Sequence, residues 1–159
     1  MTKKKDNYIK VLFRYHSNVL DKIVVETMWA IKVDEKNGIY KLDSIPFYGL
    51  QIATDDEFFA EYDELEEMLS YRKVTKFSGN SVVLVSITNE EINKEIIRNK
   101  FKSLGCTSEG LNEKYFSMEI LKSSNYLKIR NQLEEYEDQG ILVYAEPCLS
   151  DKHRNEIIN

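Results

Sequence analysis

Up to Gly79 the apolar residues of this chain recur at every second position, whereas beyond it they follow a helical period, so strands come first and helices are confined to the second part. Ile9, Val11, Phe13 and Tyr15 alternate with Lys10 and Arg14, the pattern of a half-buried strand. Val25, Thr27, Trp29, Ile31 and Val33 repeat it over a longer run, and Trp29 is expected in the core, where large aromatic side chains usually lie. Asp34–Gly38 has the composition of a hairpin turn, Ile39–Leu42 reads as the returning strand, and Pro46, with no N–H to donate, stops it. Phe58, Ala60 and Tyr62 alternate again, and Tyr71–Phe77 makes a fifth short strand. Beyond a turn at Glu64–Leu69, no helix is expected before residue 88.

Past Gly79 the apolar run Val82–Ile87 suits a strand covered on both faces. Thr88 and Glu91 have the spacing of a capping box for a helix striped by Ile92, Ile96, Ile97, Phe101 and Leu104 and ended by Gly105. Cys106–Leu111 and Tyr115–Leu121 suit a hairpin. Ser123 or Ser124 then caps a second helix, striped by Tyr126, Ile129, Leu133 and Tyr136 and ended by Gly140, and Ile141–Ala145 returns as a strand that stops at Pro147. The expected class is α+β: a small antiparallel β-sheet or barrel over residues 1–78, a ferredoxin-like βαββαβ half over 79–149, and a polar tail over 150–159.

Several residues of the first part stand in a particular order: Glu26, Met28, Trp29 and Ala30; then Tyr40, Leu42, Asp43, Ile45, Pro46, Phe47 and Tyr48; then Asp55 or Asp56; and finally Ser78, Gly79 and Asn80 ahead of a strand. In this the chain resembles the bacterial family known as domain of unknown function 4265. The resemblance covers residues 9 to 148 in outline, and its specific part is the E-x-x-W element at Glu26–Trp29 followed by I-P-F at Ile45–Phe47. It implies Asn in place of Ser44 and a His near Asn80, and so this chain departs from the family at both points. It implies a compact cytoplasmic bacterial module and carries over no catalytic residue.

A hydrophobic content of 42% is enough for a real core, and the longest apolar runs fall short of the roughly 20 residues that cross a bilayer. The basic start, MTKKKDNYIK, has no apolar stretch of signal-peptide length behind it. Cys106 and Cys148 lack the spacing of a metal knuckle or redox pair, so the cytoplasm is the expected compartment. The net charge of -5 opposes general nucleic-acid binding, which needs a basic face.

Chemistry is sparse. His16 and His153 are read as surface histidines, no metal-ligand set or cofactor motif is present, and no cofactor is expected. Eight acids fall within the thirteen residues Asp55–Glu67 without one Lys or Arg, a surface suited to steering a basic partner. Glu26, in an apolar run, is expected to be a structural clasp for a partner such as Arg14 or Arg72, or part of a pocket. Phe47 and Tyr48 are presented by Pro46. The candidate binding residues are Glu26, Asp43, Tyr48, Asp55, Asp56, Glu61, Glu64 and Glu67. They suggest a non-catalytic protein-binding module with a basic partner, in the manner of an immunity protein that covers a toxin. The alternatives are a small-molecule sensor and a hydrolase pairing Glu26 with Asp55 or Asp56.

Overall fold

The computed structural model describes residues 6–158, so the basic residues 1–5 lie outside it. β1 (Tyr8–Ser17) and β2 (Lys22–Asp34) form a long antiparallel hairpin. A 3₁₀ turn, Glu35–Asn37, leads through Gly38 into β3 (Ile39–Leu42). Gly38 has φ 75°, and a Cβ there would stand 2.8 Å from the Ala60 carbonyl oxygen, so only glycine serves at this point. β4 (Glu57–Asp63) and β5 (Met68–Lys76) follow, with two register shifts between them that let the sheet coil. β5 meets β1 in parallel, Leu12 opposite Ser70, and the five strands close into a barrel. Its interior is filled by Val11, Phe13, Met28, Ala30, Tyr40, Leu42, Ile52, Phe58 and Ala60.

The second part is a four-stranded sheet of β6 (Ser81–Ile87), β7 (Thr107–Gly110), β8 (Tyr115–Ile120) and β9 (Leu142–Cys148), ordered β7-β8-β6-β9 with every neighbour antiparallel. α1 (Lys94–Ser103) follows β6, and α2 (Tyr126–Asp138) follows β8. Val83, Val85, Phe116 and Met118 on one face pack against Ile97 and Phe101 of α1 and Ile129 and Leu133 of α2. On the other face Val82 and Leu84 pack against Ile45 and Ala53, which belong to the connection between β3 and β4. The fold is thus mixed α+β, with the sheet sandwiched between helices and the barrel's longest loop.

Five local expectations are corrected. Thr88 does not cap α1: its amide is tied to the Ile141 carbonyl, and the cap is Asn93, whose side chain accepts from the Glu95 amide at 2.7 Å. Consequently Ile96 is 65% exposed rather than part of the buried stripe. Asn125, not Ser123 or Ser124, caps α2. Asn serves as an N-cap as well as Ser does, so residue type alone cannot choose among neighbours. β5 starts at Met68 because the Asp63 carboxylate accepts from the Leu65 and Glu66 amides and folds the acidic segment into a tight turn. Pro147 does not stop β9: that strand lies at the sheet edge, and a register shift opposite Val82 and Leu84 absorbs the proline.

The fifth correction is the polar tail. Residues Asp151–Ile158 form helix α3, and His153 is fully buried beside the Tyr126 ring. The Ser124 carbonyl accepts only, so His153 Nε2 carries the hydrogen toward it at 3.2 Å, while Nδ1 accepts from the Ser81 hydroxyl at 2.6 Å. Ser81 in turn accepts from the Ser150 amide at 2.8 Å. With Ser81 and His153 both 0% exposed, this serine–histidine contact is a tie for α3 and not a reactive pair.

Burial pushes the His153 imidazole below its ordinary value of 6.5. The unfolded chain therefore takes up a proton below that pH before the folded one does, and stability falls as pH drops through it. His153→Gln, which keeps a donor and an acceptor, is expected to remove this component, so the difference in Tm between wild type and variant shifts in the variant's favour from pH 7 to pH 5. Thermal denaturation of the two proteins across that range measures it; a difference independent of pH contradicts a neutral buried His153.

Candidate functional site

β3 is only four residues long, so the edge of β2 from Trp29 back to Val25 is followed by a loop instead of a strand. The loop imitates a strand at first: the Asp43 amide donates to the Trp29 carbonyl at 3.0 Å, and the Trp29 amide donates to Ser44 Oγ at 3.1 Å. Further on, the Phe47 amide donates to Glu26 Oε1 at 3.0 Å, while the Phe47 carbonyl accepts from the Tyr115 hydroxyl of β8. One residue is therefore held by the barrel through its amide and by the sheet through its carbonyl. Where loop, β2 and sheet meet, they leave a cleft of about 540 Å³ lined by Val25, Glu26, Trp29, Asp43 and Tyr48 from the barrel side and by Thr107, Glu109 and Glu119 from β7 and β8.

Glu26 is the clasp expected, but its partner is neither Arg14 nor Arg72. The Tyr15 hydroxyl donates to its other oxygen, and burial raises its carboxyl above the ordinary range against the pull of these two donors. Trp29 is not core: it lies on the outer face of β2, 48% exposed, with Lys10 Nζ 5.2 Å from its ring centroid. A cation is thus already seated on this ring. Asp56 is buried, and its carboxylate accepts from the Ala53 amide at 2.9 Å and the Ser78 amide at 2.7 Å, so it is a structural knot below the cleft. Asp55 is not among the residues lining the cleft, although its charge reaches Glu119 there.

Glu61, Glu64 and Glu67 lie elsewhere, at the end of β4 away from Asp56 and in the turn into β5, and none of them lines the cleft. There Arg72 pairs with Glu61 and Asp63 at 3.0 and 2.9 Å, and Arg14 pairs with Glu66 at 2.7 Å. The acidic run is therefore split, and its far end carries its own counter-charges.

Glu109 and Glu119 are cleft residues that the sequence pattern did not single out. Burial raises the Glu119 carboxyl, and the charges of Asp55 and Asp43 add to the shift. Among the described residues no basic side chain forms an ion pair with Glu26, Asp43, Glu109 or Glu119. Ser117 lies between Tyr115 and Glu119 on the same face of β8, opposite Glu109, and its fully buried hydroxyl has no hydrogen-bond partner. No group of His, Cys, Asp and Glu among the described residues is arranged to hold a metal ion. Burial raises both thiols, Cys106 and Cys148, to about 12, which leaves them protonated and unreactive.

A family model described as a domain of unknown function, DUF4265, matches residues 26–144, and the chain belongs to that family. No curated protein matches it. A solved structure described as a novel crystal structure of a hypothetical protein from Neisseria gonorrhoeae is similar to it, with a TM-score of 0.75 and 20% identity over 89% of this chain and 94% of that one. At that identity the likeness concerns the fold. No helix among the described residues is long and apolar enough to cross a membrane.

Glu26→Ala leaves the Phe47 amide and the Tyr15 hydroxyl unpaired and is expected to cost about 2–3 kcal/mol, whereas Glu26→Gln keeps an acceptor and costs under about 1 kcal/mol. Because the folded-state carboxyl is raised, the stability it contributes is present below its ordinary value of 4.5 and is lost as pH rises through the shifted range. Glu26→Gln should therefore gain on wild type with increasing pH. Urea melts from pH 4 to pH 8 test this, and a constant difference would contradict the buried-carboxyl account.

Proposed function

We propose that this member of the DUF4265 family is a non-catalytic, cytoplasmic protein-binding module whose cleft receives a basic segment of a partner protein, in the manner of an immunity protein covering a toxin. The observation that carries this reading is the convergence of Glu26, Asp43, Glu109 and Glu119 on one cleft without a cationic partner among the described residues. Placing carboxylates together in a partly desolvated site is costly unless a cation compensates them, and an incoming Lys or Arg would do so. The half-exposed Trp29 ring beside them, with Lys10 already over it, adds an aromatic contact surface. The order of β6–β9, with helices after β6 and β8, supports reading the second half as a ferredoxin-like support for the cleft wall.

A second reading, a small-molecule sensor, is favoured by the position of the cleft between the barrel and the sheet, where a compact amine would be enclosed by both. A specific rise in Tm with one member of an amine panel, and none with basic peptides, would select it over the first.

Trp29 is the chain's only tryptophan, so intrinsic fluorescence reports on the cleft directly. Titration with an arginine-rich peptide is expected to perturb it, with affinity falling as salt rises. Glu109→Gln with Glu119→Gln should weaken binding by tenfold or more, about 1.4 kcal/mol. Glu61→Lys, Glu64→Lys and Glu67→Lys together should change it less than about threefold, since all three charges are exposed and Glu61 is already paired with Arg72. If the hairpin substitutions matter and the cleft substitutions do not, the partner surface is the hairpin. Co-purification with toxins encoded beside the gene tests the immunity role itself, and failure of every neighbour to bind would discard it.

A further inference from the structure

β2 turns an unusual side to solvent. Val24, Met28 and Ala30 point into the barrel, while Ile23, Val25, Trp29 and Val33 on the opposite face are 60%, 43%, 48% and 49% exposed. With Thr27 and the half-buried Ile31 they make a nearly unbroken apolar stripe along eleven residues, about 33 Å. Exposed apolar strips of this length mark contact surfaces. Val25 and Trp29 belong at once to this stripe and to the cleft, so the two are continuous.

The flanks of the stripe differ in charge. On the β1 side, Lys10 stands opposite Trp29, Arg14 opposite Val25, and His16 opposite Ile23. On the other side are the loop and β7–β8, with Asp43, Glu109 and Glu119. A partner of complementary chemistry is apolar underneath, basic along one edge and free of basic residues along the other. Such a layout sets orientation as well as affinity, because a reversed partner would bring its cations over Lys10 and Arg14.

We infer that the outer face of β2 and the cleft form one docking surface for an amphipathic segment of a partner protein, laid with its apolar side on Ile23–Val33 and its basic edge toward Asp43, Glu109 and Glu119. This rests on the reading of the cleft as a site for a basic segment, and it names what the rest of that segment must be. Ile23 and Val33 lie at the two ends of the stripe, outside the cleft lining, so they separate the new surface from the old one.

The test uses two synthetic helical peptides of about 18 residues, long enough to cover most of the stripe at 1.5 Å per residue. Both carry the same arginine edge; one has a leucine face and the other has serine at those positions. Trp29 fluorescence and calorimetry are followed on the full chain and on the doubly substituted Ile23→Thr, Val33→Thr protein, in which two exposed residues are replaced by good strand formers. The leucine peptide is expected to bind wild type at least tenfold more tightly than the serine peptide. In the double variant that advantage should disappear while the serine peptide binds as before. Equal binding of the two peptides to wild type, or an advantage that survives in the variant, overturns the inference and leaves the cleft reading standing. Absence of binding by either peptide, or binding indifferent to Glu109→Gln with Glu119→Gln, overturns both. A wild-type dimer in sedimentation that dissociates in the double variant assigns the stripe to a second copy of this chain and overturns the inference as well.

Discussion

The barrel and the sheet meet through the connection from Asp43 to Asp56, and burying that connection is possible only because its backbone groups find partners. A loop between two packed layers loses water on both sides, and each unpaired amide or carbonyl would cost as much as a lost hydrogen bond. Here the Phe47 amide goes to Glu26 and its carbonyl to Tyr115; Asp56 collects the Ala53 and Ser78 amides. Asn80 completes the set by donating to the Thr54 carbonyl at 2.9 Å while accepting from the Lys122 amide at 2.8 Å. With these ties in place, Ile45 and Ala53 can pack on Val82 and Leu84, and the two halves become one body.

The same ties account for the contrast between acids that are structural and acids that are not. Asp56 accepts from the Ala53 and Ser78 amides and from the Ser78 hydroxyl, which leaves no room for a ligand. Of the hairpin acids, Glu66 has Arg14 and Glu61 and Asp63 have Arg72 as counter-ions. Glu119 accepts only from hydroxyls, Thr107 Oγ1 at 3.4 Å among them, and among the described residues neither it nor Glu109 has a counter-ion, although burial already disfavours the charge on Glu119. A folded chain bears such a cost at a functional site more often than in its architecture.

Alternation made the five barrel strands and the four sheet strands legible, and the glycines at 105 and 140 marked the ends of α1 and α2. What alternation cannot supply is which of its two phases points inward when both are apolar. In β2 the inner phase is Val24, Glu26, Met28 and Ala30 and the outer one is Ile23, Val25, Trp29, Ile31 and Val33. Hydrophobicity alone favours the wrong phase and sends Trp29 to the core. Helix α3 was illegible for the opposite reason, since DKHRNEII offers only His153 and Ile157 to the interior and most of its grip is hydrogen bonding. Glu119 left no distinctive signal: Tyr115, Ser117 and Glu119 alternate with Phe116, Met118 and Ile120, which is also the pattern of an antiparallel strand with one face in water, and the sequence does not show that the barrel loop covers that face.

The position of the cleft follows from the mismatch between a thirteen-residue β2 and a four-residue β3. Had β3 continued, its backbone would have paired with Glu26–Trp29 and its side chains would have alternated about the sheet. Pro46 forbids that continuation, because it cannot donate to a ladder. A loop has to take over, and a carboxylate stands in for the backbone acceptor at Phe47. That substitution places an acid at the barrel's open edge beside Tyr48, and among the described residues no neighbouring element covers the outer face of β2. One interrupted strand thus generates the acidic cleft and the apolar stripe together, which is why the two are continuous.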